Sequence, residues 1–205
     1  MIQLFLTVCQ CHKEQKRADT YSLYQKMLQK ADDNKLKCPN GCRNCTFHKD
    51  GTYQRQLICY QESETLVHEI TVRCMECKEC GKTHTILPSI VLPHSSFSIP
   101  FVIELVYSYL KQHYSSVEEM CLAYDVSVTT FYRLLRRFKR DQVHMLKIIQ
   151  RYLQQLGKCI ASSLDVSYLV RLLRDISLTV LDELLESYYQ QYHFGYLVYY
   201  GMDTT

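Results

Sequence analysis

Two short stretches concentrate the residues able to do chemistry. The first reads Cys38-Pro39-Asn40-Gly41-Cys42-Arg43-Asn44-Cys45, the second Cys74-Met75-Glu76-Cys77-Lys78-Glu79-Cys80-Gly81-Lys82-Thr83-His84. Thiols separated by two or three residues around a tight turn can face one ion, and a second such pair completes a tetrahedral thiolate site. The chain holds eleven cysteines, an odd number, six of them in these two stretches, which favours metal ligation over a disulfide framework. The spacing selects Cys38, Cys42, Cys77 and Cys80 as zinc ligands, with Cys45 and Cys74 as substitutes, and His48, His68 and His84 as further donor types. Cys9, Cys11, Cys59, Cys121 and Cys159 fall in no such pattern and read as small hydrophobes. A catalytic zinc needs an open fourth position and a nearby general base. No spacing here selects one, so the zinc is expected to be structural.

The stretches must be brought together by what lies between them. Thr52–Tyr60 and Thr65–Val72 alternate apolar and polar residues and are joined by the polar Gln61–Glu64, which predicts a hairpin. Two cysteine turns bridged by a hairpin describe a zinc ribbon. A module of roughly 55 residues buries too little apolar surface to fold confidently alone, and a Cys₄ zinc can supply the missing stability.

A second chemical signal follows. Pro100–Gln112 reads as a helix with Val102, Leu105, Val106, Tyr109 and Leu110 on one face. Ser116-Val117-Glu118-Glu119 is a capping box that opens a short helix, Val117–Tyr124. Asp125-Val126-Ser127 interrupts the pattern, and Ser127 caps a third helix predicted from Val128 to about Arg140. Val126, Phe131, Leu134, Leu135 and Phe138 fall on its buried side. Helix, turn, helix is the order used for duplex reading, where the second helix lies in the major groove. Thr129, Tyr132 and Arg133 are candidates for base contact, and Ser127, Thr130, Arg136, Arg137, Lys139 and Arg140 for phosphate contact. Asp125 occupies the turn position where glycine is usual. The net charge of +3 is unevenly spread. Five of the six bases between positions 96 and 140 lie within 133–140, whereas the tail from 141 onward is net acidic, so polyanion contact should centre on the third helix.

The chain is 205 residues long, 47% hydrophobic and 22% charged, values of an ordinary globular protein that exclude disordered and fibrous classes. The composition shifts divide it into 1–35, a short strand at Met1–Val8 and a polar helix from about Lys13 to Gln29; 36–95, the zinc ribbon; 96–144, the DNA-binding helices; and 145–205, a helical tail. The expected fold class is α+β. No run reaches the roughly 18 uncharged apolar residues of a membrane span, and Met1–Val8 lacks the features of a signal peptide. The expected location is cytoplasmic, with no membrane partner.

Cys38-Pro39, Gly51-Thr52-Tyr53-Gln54-Arg55, Val72-Arg73 and Cys77-Lys78-Glu79-Cys80-Gly81-Lys82-Thr83-His84 followed by Leu87-Pro88 and the helical motif resemble an uncharacterised family of bacterial zinc-ribbon proteins. That family is chiefly from Firmicutes and associated with mobile elements. The chain is similar, more distantly, to the N-terminal DNA-binding part of insertion-sequence transposases. The resemblance covers roughly residues 36–140 and implies sequence-directed binding of double-stranded DNA, with zinc carried by Cys38, Cys42, Cys77 and Cys80. The sequence departs from the family pattern where Gly41 precedes Cys42.

Strand transfer would need three carboxylates holding two metal ions roughly 3.5–4 Å apart. Asp165, Asp175, Asp182, Glu183 and Glu186 instead have the spacing of solvated helix faces, and no phosphate loop or GxSxG elbow exists. The chain is therefore expected not to be an enzyme but a transposase-like DNA-binding protein without its own catalytic domain. The alternatives are a protein-interaction module, using the ribbon and the tyrosine-rich end (Tyr188, Tyr189, Tyr192, Tyr196, Tyr199, Tyr200), or a truncated transposase remnant. Tyrosines at such density suit an interface, homodimeric or with another protein, as well as they suit core packing.

Overall fold

The computed structural model describes residues 1–5, 20–157, 165–193 and 195–197. The longest strands are β2 (Phe47–Gln61) and β3 (Glu64–Cys77), paired in register from Gln61↔Glu64 to Phe47↔Cys77 with a bulge between Lys49 and Gly51. Their two-residue connection, Glu62-Ser63, has positive φ at both positions, the turn whose twist matches a right-handed ribbon. β4 (Thr83–Pro88) lies antiparallel to β3, and β1 (Ile2–Leu4) parallel to β4, giving a mixed sheet in the order β1-β4-β3-β2. Helix α1 (Thr20–Gln29) covers one face, because Leu23, Tyr24 and Met27 recur at helical spacing and meet Leu57, Ile70, Val72, Met75 and Ile86. Residues 6–8 of the expected first strand and 13–19 of the expected first helix lie outside the described residues.

Five further helices build a second core: α2 (Ile99–Leu110), α3 (Val117–Ala123), α4 (Val128–Gln155), α5 (Val166–Asp175) and α6 (Leu178–Tyr192). Ser98, Ser116, Ser127, Asp165 and Ser177 each accept a backbone N–H three residues on, so every one of these helices starts at a side-chain cap. The architecture is α+β, with six α-helices and a four-stranded mixed sheet among the described residues.

Two expectations are corrected. The third helix does not stop near Arg140 but continues to Gln155, through the boundary expected at 144/145. Its buried stripe Phe131, Leu134, Leu135, Phe138 runs on through Asp141 to Met145, Ile148 and Ile149; a carboxylate in the stripe hides the continuity from a hydropathy reading. Asp141 is 1% exposed and accepts from Arg140 Nε (2.6 Å) and Nη2 (2.9 Å) and from the backbone N–H of Leu197 (2.9 Å), so its buried carboxylate is fully partnered. Asp182 is likewise fully buried rather than solvated, and accepts from the Ser89 hydroxyl. Tyr188 and Tyr196 are buried against α4, with Tyr192 stacked on His144 at 4.4 Å, so these members of the aromatic end pack the core; Tyr199 and Tyr200 lie outside the described residues.

Candidate metal centre and candidate nucleic-acid interface

The Sγ atoms of Cys38, Cys42, Cys77 and Cys80 all lie within 4.8 Å of one another and could hold a metal ion. Cys38 and Cys42 belong to a turn closed by Gly41 N–H donating to the Cys38 carbonyl (3.0 Å). Cys77 ends β3, and Gly81 N–H closes the second turn on the Cys77 carbonyl (2.8 Å). Both glycines have positive φ, +77° and +67°, which a side chain would resist. Lys78 N–H donates to the Thr46 carbonyl (2.9 Å) and Asn44 N–H to the Glu79 carboxylate (2.9 Å), tying the two turns together. The hairpin register brings the turns to one end: Phe47, just after the first, pairs with Cys77.

Cys45 and Cys74 stand outside the group of four. Cys45 donates weakly to the Leu36 carbonyl (3.7 Å), and Cys74 sits within the β3–β4 ladder opposite Thr85. Of the three candidate histidines, His48 pairs with Glu76 (3.1 Å) and His68 stacks on Tyr21 (4.2 Å), and neither belongs to the group of four donors. His84, by contrast, places Nε2 3.4 Å from Cys38 Sγ. The Asn40 side-chain amide lies 3.4 Å from Cys80 Sγ. Neither contact follows from ligand spacing; the signal for His84 is its place four residues beyond Cys80, at the start of a strand.

The thiols of Cys38, Cys42 and Cys80 have unlike acidities. The Lys82 backbone N–H and then the Asn40 amide hold the Cys80 thiol down to about 6. Burial pushes Cys38 and Cys42 up. The turns thus favour a thiolate at Cys80, while further negative charge in so small a space awaits a cation.

At the other end of the hairpin, roughly 45 Å of strand away, the tip meets the connection between α3 and α4. Tyr60 packs on Tyr124 (5.0 Å between ring centroids), and Thr65 Oγ1 donates to the Tyr124 carbonyl (3.5 Å). The Tyr124 ring is buried, its hydroxyl 2.7 Å from Ser108 Oγ. Asp125 then adopts φ +52°, the left-handed conformation expected at that position, and Ser127 accepts from Thr130 N–H (3.2 Å) to start α4. Glu119 closes the preceding cap on the Ser115 rather than the Ser116 N–H (2.9 Å).

Val126, Phe131, Leu134, Leu135 and Phe138 are buried. Ser127, Thr129, Tyr132, Arg133, Arg136, Lys139 and Arg140 are exposed, and Thr130 and Arg137 half-buried, so the nine candidate residues share the accessible side of this unit. Arg140 is already engaged by Asp141. Among the described residues no helix is long and apolar enough to cross a membrane.

Residues 38–124 match a family model described as a domain of unknown function (DUF6431), a span that takes in all four clustered cysteines and ends at Tyr124, before α4. No curated protein and no solved structure matches the chain.

Proposed function

We propose that the chain is a zinc-dependent, sequence-directed DNA-binding protein in which the α3–turn–α4 unit acts as a helix-turn-helix. The observation that carries this reading is the coincidence, on one accessible side, of a capped second helix, a left-handed turn residue and the basic run Arg133–Arg140. Thr129, Tyr132 and Arg133, in the first two turns of α4, are the residues for base edges; Ser127, Thr130, Arg136, Arg137 and Lys139 are those for phosphates. Arg140 contributes least, being paired with Asp141.

Zinc is the proposed ion because four sulfurs form its preferred donor set. Cys38, Cys42, Cys77 and Cys80 make the β2–β4 region a zinc ribbon, whose far tip supports the reading unit through Tyr60, Thr65 and Tyr124. In this reading the metal is structural and the mobile-element setting implied by the resemblance supplies the DNA site. Selection of bound sequences from random duplex by the zinc-loaded chain tests it: enrichment of a discrete motif is expected, and recovery of unselected sequence would overturn it.

A further inference from the structure

We propose that His84 is a positioning residue of the metal centre, donating its Nε2–H to the Cys38 sulfur and so slowing loss of the ion. The inference rests on the reading of Cys38, Cys42, Cys77 and Cys80 as zinc ligands. His84 Nε2 lies 3.4 Å from Cys38 Sγ, and the two residues are 5% and 6% exposed. A metal-bound thiolate carries no proton and only accepts, so the ring nitrogen facing it must be the donor. The imidazole is held in place: His84 is paired with Met75 in the β3–β4 ladder, and its ring meets Phe47 edge-on at 6.4 Å. It does not belong to the mutually close set of four donors, so it is assigned to the sulfur rather than to the ion.

The placement also completes a pattern. Cys80, in the second turn, is served by the Asn40 amide from the first turn. Cys38, in the first turn, is served by His84 from the strand that follows the second. His84 also reaches the Cys80 sulfur, so its ring stands between one sulfur of each turn. A thiolate that accepts such a bond has its lone pair engaged, which lowers its reactivity toward protons and electrophiles and fixes its direction toward the ion.

The test compares wild type, His84→Phe and His84→Gln as full chains loaded with zinc, reading metal content, the rate of zinc transfer to a chromogenic chelator, and the absorption of the cobalt-substituted forms. His84→Phe should release zinc roughly 10–100-fold faster, the usual cost of losing an outer partner of a ligand. His84→Gln, which keeps an N–H donor, should recover most of that loss, and the cobalt spectra of all three should keep the same four-thiolate pattern. In wild type loaded with cadmium, the His84 Nε2 proton should show scalar coupling to the metal through the sulfur, a result independent of whether either variant folds. Equal release rates, absence of that coupling, or a cobalt spectrum that changes ligand set in His84→Phe would overturn the proposal. Failure of wild type to hold any metal would instead sink the four-cysteine reading itself.

Discussion

Cys38 Sγ and Cys80 Sγ lie 3.7 Å apart although 42 positions separate them in the chain. That is too long for a disulfide and close to the edge, roughly 3.8 Å, of a tetrahedron of sulfurs about 2.3 Å from a central zinc.

The first prediction follows from that edge. Metal analysis should find one zinc per chain, and Cys77→Ser or Cys80→Ser should abolish it and lower the unfolding temperature. Cys45→Ser and Cys74→Ser should leave the metal in place, since those sulfurs lie outside the group of four. Retention of zinc by Cys77→Ser would contradict the assignment.

Metal-stripped protein should show an uneven thiol reactivity. The Lys82 N–H, followed by the Asn40 amide, holds Cys80 at about 6, below the ordinary cysteine value near 8.5. A depressed folded value contributes stability that is present above the unfolded value and lost as pH falls through about 6. Burial raises Cys38 and Cys42, so below the ordinary value these two stay protonated both folded and unfolded. Alkylation at pH 7 followed by peptide mapping should therefore label Cys80 before either of them.

Asp125 tests the turn. A non-glycine residue at φ +52° is strained, by about 1 kcal/mol for an aspartate. Asp125→Gly should leave thermal stability equal or higher and duplex binding intact, whereas Asp125→Val, β-branched, should lower the unfolding temperature by several degrees.

Tyr124 tests the link between the hairpin tip and the helices. Tyr124→Phe removes the 2.7 Å contact to Ser108 and should cost about 1 kcal/mol in denaturant unfolding. Phe138→Ala, which empties a fully buried site in the helical core, should cost about 3–5 kcal/mol.

Local chemistry carried most of what was legible in the sequence. Alternation over Thr52–Tyr60 and Thr65–Val72 marks a real hairpin, though β2 begins earlier, at Phe47, because His48–Gly51 is exposed on both faces and has no alternation to read. Ser116 and Ser127 are visible as caps because they act within three residues. The length of α4 is not legible, since Asp141 breaks the apolar stripe and the Leu197 N–H that meets it lies 56 positions away. Asp182 reads as solvated for the same reason: Ser89, whose hydroxyl donates to it, is 93 positions away. At the cysteine cluster the thiols announce themselves by spacing, whereas the contacts of His84 and Asn40 with them depend on two turns meeting at the end of a sheet.

The claim on which the account turns is that the accessible side of α4 binds duplex DNA, and the dependence of duplex affinity on salt tests it most directly. The five basic side chains of the Arg133–Arg140 run set the slope of a log-log plot at no steeper than about −5. Arg133→Ala and Arg136→Ala should each weaken binding and flatten the slope by about 1, with Arg140→Ala changing it less because Asp141 already holds that side chain. No measurable duplex binding at low salt, or affinity indifferent to salt and to both substitutions, would contradict the account.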